Sequence, residues 1–144
     1  MFENAKFTES FKPTIGADFS NKEIRTSSGR LVTLQIWDTA GQERYQSLGT
    51  AFYRGADCCL LVYDLTNKDS FENILNWRTN FLQKSMVTQP DSFPFLVVAN
   101  KLDLEQEQRQ VAFKQLERFC KENDGMLFVE ASAKSNLNVE QAFQ

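Results

Sequence analysis

Val32, Leu34 and Ile36 are apolar at every second position, with Thr33 and Gln35 between them, and the run ends at an acid, Asp38. That period belongs to a half-buried strand and not to a helix. Asp38 keeps the parity of the apolar residues, so its carboxylate stands at the strand's carboxyl end, where open α/β sheets bind their ligands. Thr39, Ala40 and Gly41 follow, small residues that bring backbone amides close to whatever lies above the sheet, and then Gln42, which both donates and accepts. An acid, a bare amide and an amide side chain suit a magnesium-bound phosphate. Asp38 serves the ion through water, the Gly41 N–H meets the terminal phosphate, and Gln42 orients an attacking water. A strand running into a polar turn explains Asp-x-x-Gly equally well. Five specified residues are harder to assign to chance, which supplies Asp-Thr-Ala-Gly-Gln in a chain this long about once in twenty thousand.

The remaining pattern alternates strands with helices. Ile15 to Arg25 reads as a strand, and Ser27-Ser28-Gly29 turns it back into the Leu31 strand as an antiparallel hairpin. Glu43 to Arg54 reads as a short irregular helix. Ala56 to Tyr63 is a continuous apolar run, as expected of a strand covered on both faces. After a loop at 64–69, with Asp69 or Ser70 as N-cap, Phe71, Ile74, Leu75, Phe81 and Leu82 recur at helical spacing. Phe95 to Ala99 is a second buried strand that delivers Asn100-Lys101-Leu102-Asp103. Ala112, Phe113, Leu116 and Phe119 mark a second helix, stopped by Asn123-Asp124-Gly125. Met126 to Val129 is the last strand. It delivers Glu130-Ala131-Ser132-Ala133-Lys134, and Asn138 caps a final helix. One α/β domain follows, a mostly parallel sheet with helices on both faces, in which successive strands end in polar loops on one edge.

Composition removes whole classes of chemistry. With no histidine among 144 residues, His-based triads and His-ligated metals are excluded. A formal net charge of -3 and no basic run argue against nucleic acid as a partner. Three cysteines at these spacings suit neither zinc nor a redox pair, and read as buried thiols in a reducing compartment. No apolar run reaches membrane-spanning length and the first residues lack a signal-peptide core, so the expectation is a cytosolic chain. The Gly-x-Gly-x-x-Gly fingerprint of dehydrogenases is missing.

Two of the polar loops have the chemistry of base recognition. A carboxylate only accepts, so Asp103 complements a ring N–H beside an exocyclic amine, the edge that guanine shows and adenine does not. Asn100 bonds the purine and neighbouring loops, and the Lys101 stem covers the ring face. Ala133 offers a backbone N–H to the guanine oxygen, and Lys134 covers the other part of the ring. Each loop alone is equally well read as a plain strand-to-helix connection. Their order changes the odds, because a phosphate loop and two base loops each follow an expected strand.

Thr14-Ile15-Gly16-Ala17-Asp18-Phe19, Trp37-Asp38-Thr39-Ala40-Gly41-Gln42-Glu43, Tyr53-Arg54-Gly55-Ala56, Asn100-Lys101-Leu102-Asp103 and Ser132-Ala133-Lys134 together resemble the Rab small GTPases. The likeness runs over essentially the whole chain. Ser47-Leu48-Gly49, Ala51 to Cys59 and Asn138 to Phe143 are most similar to the late-endosomal and vacuolar branch. The resemblance implies a P-loop NTPase-type G domain over residues 1–144, binding GTP or GDP with magnesium. Thr14 and Asp38 would serve the ion, Gln42 catalysis, and Gly41 the γ-phosphate. Asn100, Lys101, Asp103, Ser132, Ala133 and Lys134 would select guanine, and Phe7 would pack edge-on against it. Ile15, Gly16, Ala17, Asp18, Phe19, Trp37 and Phe52 would belong to the surface read by effectors. Apart from the family, core packing accounts for Phe7, Phe19, Trp37 and Phe52. The implied partners are effectors, an exchange factor and a GTPase-activating protein, met by a monomer on the cytosolic face of late endosome, lysosome or vacuole. Membrane attachment would come only through a lipidated C-terminal tail absent from these residues.

The family pattern is also broken. Its Gly-x-x-x-x-Gly-Lys-[Ser/Thr] phosphate loop has no counterpart here: the first glycine is Gly16, and no glycine precedes Lys-Ser or Lys-Thr. The first strand and most of the first helix are missing with it. Two readings stay open, a slow GTP-hydrolysing switch represented by an incomplete chain, and a non-enzymatic module that keeps the effector surface without the nucleotide. No arginine finger is evident in cis.

Overall fold

The computed structural model describes residues 13–41 and 50–144. The alternating segments form the expected hairpin: β1 (Ala17–Arg25) pairs antiparallel with β2 (Leu31–Thr39), from Ala17 opposite Thr39 to Arg25 opposite Leu31. Gly29 closes the turn at φ 80°, a conformation side chains resist, and its N–H donates to the Thr26 carbonyl at 2.8 Å. Gly16, at φ 83°, ends the extended run, so the strand starts at Ala17 and not at Ile15. The register puts Phe19 opposite Trp37 and Asp18 opposite Asp38, and strand parity sends these two pairs to opposite faces.

A second sheet of three parallel strands carries the core: β3 (Cys59–Asp64), β4 (Phe95–Asn100) and β5 (Leu127–Glu130), in the order β3-β4-β5. Parallel strands put their carboxyl ends on one edge, where Asp64, Asn100 and Glu130 stand. Among the described residues five α-helices accompany them: α1 (Lys68–Glu72), α2 (Ile74–Ser85), α3 (Glu105–Gln108), α4 (Phe113–Glu122) and α5 (Val139–Phe143). On one face Leu61, Tyr63, Val97 and Ala99 pack with Phe71, Ile74, Phe81, Leu116 and Cys120 of α1, α2 and α4. On the other, Val98 and Val129 meet Ala142 and Phe143 of α5. Helices therefore lie on both faces.

Several local expectations are corrected. β3 is covered well on one face only: Leu61 and Tyr63 are buried, whereas Val62 is 58% exposed because α5 lies over β4 and β5. The helix expected from Phe71 to Leu82 is two, divided at Asn73, and Leu75 faces solvent. Its N-cap is Asn67, whose side-chain oxygen accepts the Ser70 N–H at 3.1 Å, and not Asp69 or Ser70. Asn138 precedes α5 but makes no side-chain cap; at φ 55° it donates to the Glu130 carbonyl at 2.8 Å. Cys58 is exposed, because β3 begins one residue after it; only Cys120 is buried, and Cys59 is half-buried. Burial, then the neighbouring Cys58, pushes the Cys59 thiol up to about 12, and burial raises Cys120 to about 11. Both stay protonated near neutrality, which removes them as nucleophiles.

A 3-10 turn at Thr50–Tyr53 links the two sheets through aromatic contacts. Tyr53 packs on Phe81 with centroids 5.2 Å apart, and Phe52 stacks on Trp37 at 4.4 Å.

Candidate functional site

The polar loops after β4 and β5 interlock. The Leu102 N–H donates to the Ala131 carbonyl at 3.1 Å, and the Ala131 N–H to the Ala99 carbonyl at 2.8 Å. Asn100 Oδ1 accepts the Ala133 N–H at 3.1 Å, so this amide, expected to face the guanine oxygen, is held by Asn100. Ser132 is fully buried; its hydroxyl donates to Asp103 Oδ1 at 2.5 Å and accepts the Ser135 N–H at 3.0 Å. Burial keeps this serine away from any ligand. What it does is aim Asp103, whose second oxygen has no other partner among the described residues. A cleft of about 620 Å³ opens beside that carboxylate, lined in part by Leu102, Asp103, Lys134 and Ser135.

Beneath the loops lies a polar frame. The guanidinium of Arg109 forks onto Glu130, with Nη1 to Oε1 at 2.8 Å and Nη2 to Oε2 at 3.0 Å, and Nη1 also donates to the Val111 carbonyl. Two-bond recognition of this kind fixes direction as well as distance. The Gln110 and Val111 N–H groups donate to the Leu65 carbonyl, and the Leu65 N–H to the Asn100 carbonyl at 3.1 Å. The three strand ends are thereby tied together. Lys101, in the left-handed region at φ 70°, sends its ammonium 2.7 Å from Asp64 Oδ2. Burial raises the Asp64 pKa, but bonds from Lys101 and Thr66 outweigh it and hold the group below its ordinary value.

A second cluster stands at the open end of the hairpin. Thr14 Oγ1 donates to Asp38 Oδ2 at 3.1 Å, and the Ala40 N–H donates to the Gly16 carbonyl at 3.0 Å. Gly41 is exposed, and a Cβ added there would meet no atom of the described residues within 4 Å, so ligand atoms can approach its backbone. On the opposite hairpin face Phe19, Trp37 and Phe52 form a continuous aromatic row, Phe19 to Trp37 at 4.5 Å. Each is between 37% and 47% exposed, which makes them a surface and not a core.

The Ras family profile matches residues 1–144. Over the whole chain, 53% of residues are identical to Ypt/Rab-type GTPase avaA of Emericella nidulans, of which 70% is covered. Ras-related protein Rab-7a of Paramecium octaurelia is 52% identical with 69% covered, and Ras-related protein Rab7 of Drosophila melanogaster 51% with 68% covered. The chain is a Rab7-type member of the Ras family.

In this Rab7-type chain the structure brings together some of the residues assigned from sequence. Asn100, Lys101, Asp103, Ser132, Ala133 and Lys134 come together around the strand ends, as do Thr14 and Asp38 on the hairpin, which belongs to the other sheet. Gln42 and Phe7 lie outside the described residues. Thr14 and Asp38 present a hydroxyl and a carboxylate, a hard oxygen set that fits magnesium, an ion held by one or two protein oxygens plus phosphates and water. No group of three or more acidic, cysteine or histidine side chains placed to hold a metal occurs among the described residues. Within them, no helix is long and apolar enough to cross a membrane. Two participants went unnoticed in the sequence, Asp64 and Arg109. The available signal for the first was positional, since Asp64 ends its strand as Asn100 and Glu130 end theirs.

Proposed function

We propose that this Rab7-type chain is a guanine-nucleotide switch in vesicle traffic toward late endosome, lysosome or vacuole, read by effectors in its GTP state and turned off by slow hydrolysis. The observation that carries the nucleotide reading is the Ser132–Asp103 bond at 2.5 Å, which holds an acceptor-only carboxylate at the rim of the cleft. Asp103 accepts the ring N–H and amine of guanine. Asn100 and Ala133 brace the two base loops against each other, and the Lys101 and Lys134 stems cover the purine faces. Thr14 and Asp38 would hold magnesium, which when bound would supply charge neutralisation for the phosphates. Gly41 donates to the γ-phosphate, Phe7 packs against the base, and Gln42 orients water.

The effector surface runs from Ile15 through Gly16, Ala17 and Asp18 to Phe19, and across to Trp37 and Phe52. The aromatic row on one hairpin face and Asp38 on the other support that division, since the same two strands carry both. The protein works as a monomer with an exchange factor and a GTPase-activating protein.

The test replaces one atom. Asp103→Asn turns an acceptor into a donor, which favours xanthine, with a carbonyl where guanine has its amine. The variant is expected to lose GDP affinity by about tenfold or more and to prefer XDP, measured by NMR titration of both ligands. Unchanged preference would remove Asp103 from the base site. The second reading, an effector-binding module without nucleotide, is favoured by the absence of a Gly-Lys-Ser/Thr loop within residues 1–144, since the aromatic row is assembled and exposed regardless. Effector capture insensitive to GTP and GDP would support it.

A further inference from the structure

Asp64 is held on almost every side. Its backbone N–H donates to Ser70 Oγ at 3.1 Å, and its carbonyl accepts the Ser70 hydroxyl at 3.2 Å and the Asn67 N–H at 2.9 Å. In its carboxylate, Oδ1 accepts the Thr66 N–H at 2.9 Å and the Thr66 hydroxyl at 2.7 Å. Only Oδ2 reaches outward, and it receives the Lys101 ammonium at 2.7 Å. So much order around one acid is poorly explained by stability. The lysine is half exposed, and ion pairs in contact with water contribute little because screening and side-chain entropy offset the attraction.

The partner's position gives the better explanation. Lys101 follows Asn100, which is paired in register with Asp64, and its φ of 70° turns the chain at the rim of the base site. With backbone and ammonium both fixed, the four methylenes between them have little freedom left. A flat apolar ligand then meets a stem already in place, and the entropy of ordering a lysine is not lost on binding. We infer that Asp64 is a positioning residue of the nucleotide site, acting through Lys101: clamped by Thr66, it anchors the ammonium so that the lysine stem is preset against the purine face. This rests on the guanine-nucleotide reading of the site.

A double-mutant cycle in residues 1–144 tests it, with GDP titrations followed by amide NMR, which reads millimolar as well as micromolar affinity. Asp64→Asn keeps the shape and removes the charge; Lys101→Met keeps an apolar stem and removes the ammonium. Asp64→Asn is expected to weaken GDP by about three- to tenfold with Lys101 present and by less than about twofold in the Lys101→Met chain. Its melting midpoint should move by no more than about 4 °C, as for a pair in contact with water whose Thr66 bonds to Oδ1 are kept. Should Asp64→Asn fail to fold, Thr66→Val decides, weakening GDP in the same direction only when Lys101 is present. Equal losses in both backgrounds would overturn the inference and leave the nucleotide reading standing. A parent chain without any GDP response would overturn both.

Discussion

Residues 1–144, titrated with GTP in magnesium, bind it no more tightly than about 100 μM. What a phosphate loop contributes and what this chain offers instead set that limit. If about five charge-assisted hydrogen bonds to phosphate are missing, at roughly 1.5 to 3 kcal/mol each, the deficit is on the order of 7 to 15 kcal/mol. Nanomolar affinity is worth only about 12 kcal/mol, so the smaller deficit leaves about 5 kcal/mol and the larger leaves nothing. The base loops supply the remainder: Asn100, Asp103 and Ala133 are interlocked without any help from the hairpin. Calorimetry that returned submicromolar affinity for these residues would show that other groups replace the loop.

Hydrogen exchange should divide the molecule into two unequal parts. β4 is paired on both sides, and Val97 and Ala99 are completely buried, so its amides open only with the core. The hairpin is a two-stranded sheet by itself, and such sheets are marginal in water without further packing. Among the described residues one tie to the larger sheet is the Trp37–Phe52 stack, carried by a turn whose Tyr53 sits on Phe81. Amides of β1 and β2 are therefore expected to exchange at least about 100-fold faster than those of β4, through local opening. Protection of the hairpin equal to that of β4, lost in one cooperative step, would contradict two sheets of different stability.

The period-2 and continuous apolar runs made the strands legible, because side-chain alternation and burial act residue by residue. The hairpin and the three parallel strands follow from them, as do the polar loops on one edge. Element ends were less legible, since they depend on which neighbour accepts a hydrogen bond. Asn67 and not Asp69 caps α1 because its oxygen meets the Ser70 N–H. Covered faces were misread where a run of apolar residues looked buried throughout: Val62 and Cys58 are exposed because the covering helix stops short of them or the strand starts later. In the site, the residue types of Asn100, Asp103 and Ser132 were readable from their motifs. Their division of labour was not, because Ser132 acts from full burial on Asp103, and Asn100 takes up the Ala133 N–H. Asp64 and Arg109 act across distances of 37 and 21 residues, which no local pattern reveals.

Guanine selection by Asp103 is tested most directly by two amide-resolved NMR titrations of residues 1–144, one with GDP and one with ADP. GDP is predicted to shift the amides of Asn100, Asp103, Ala133 and their neighbours in a saturable way, with ADP at the same concentrations leaving them in place. Equal responses to both nucleotides, or GDP shifts confined to residues remote from the two base loops, would contradict it.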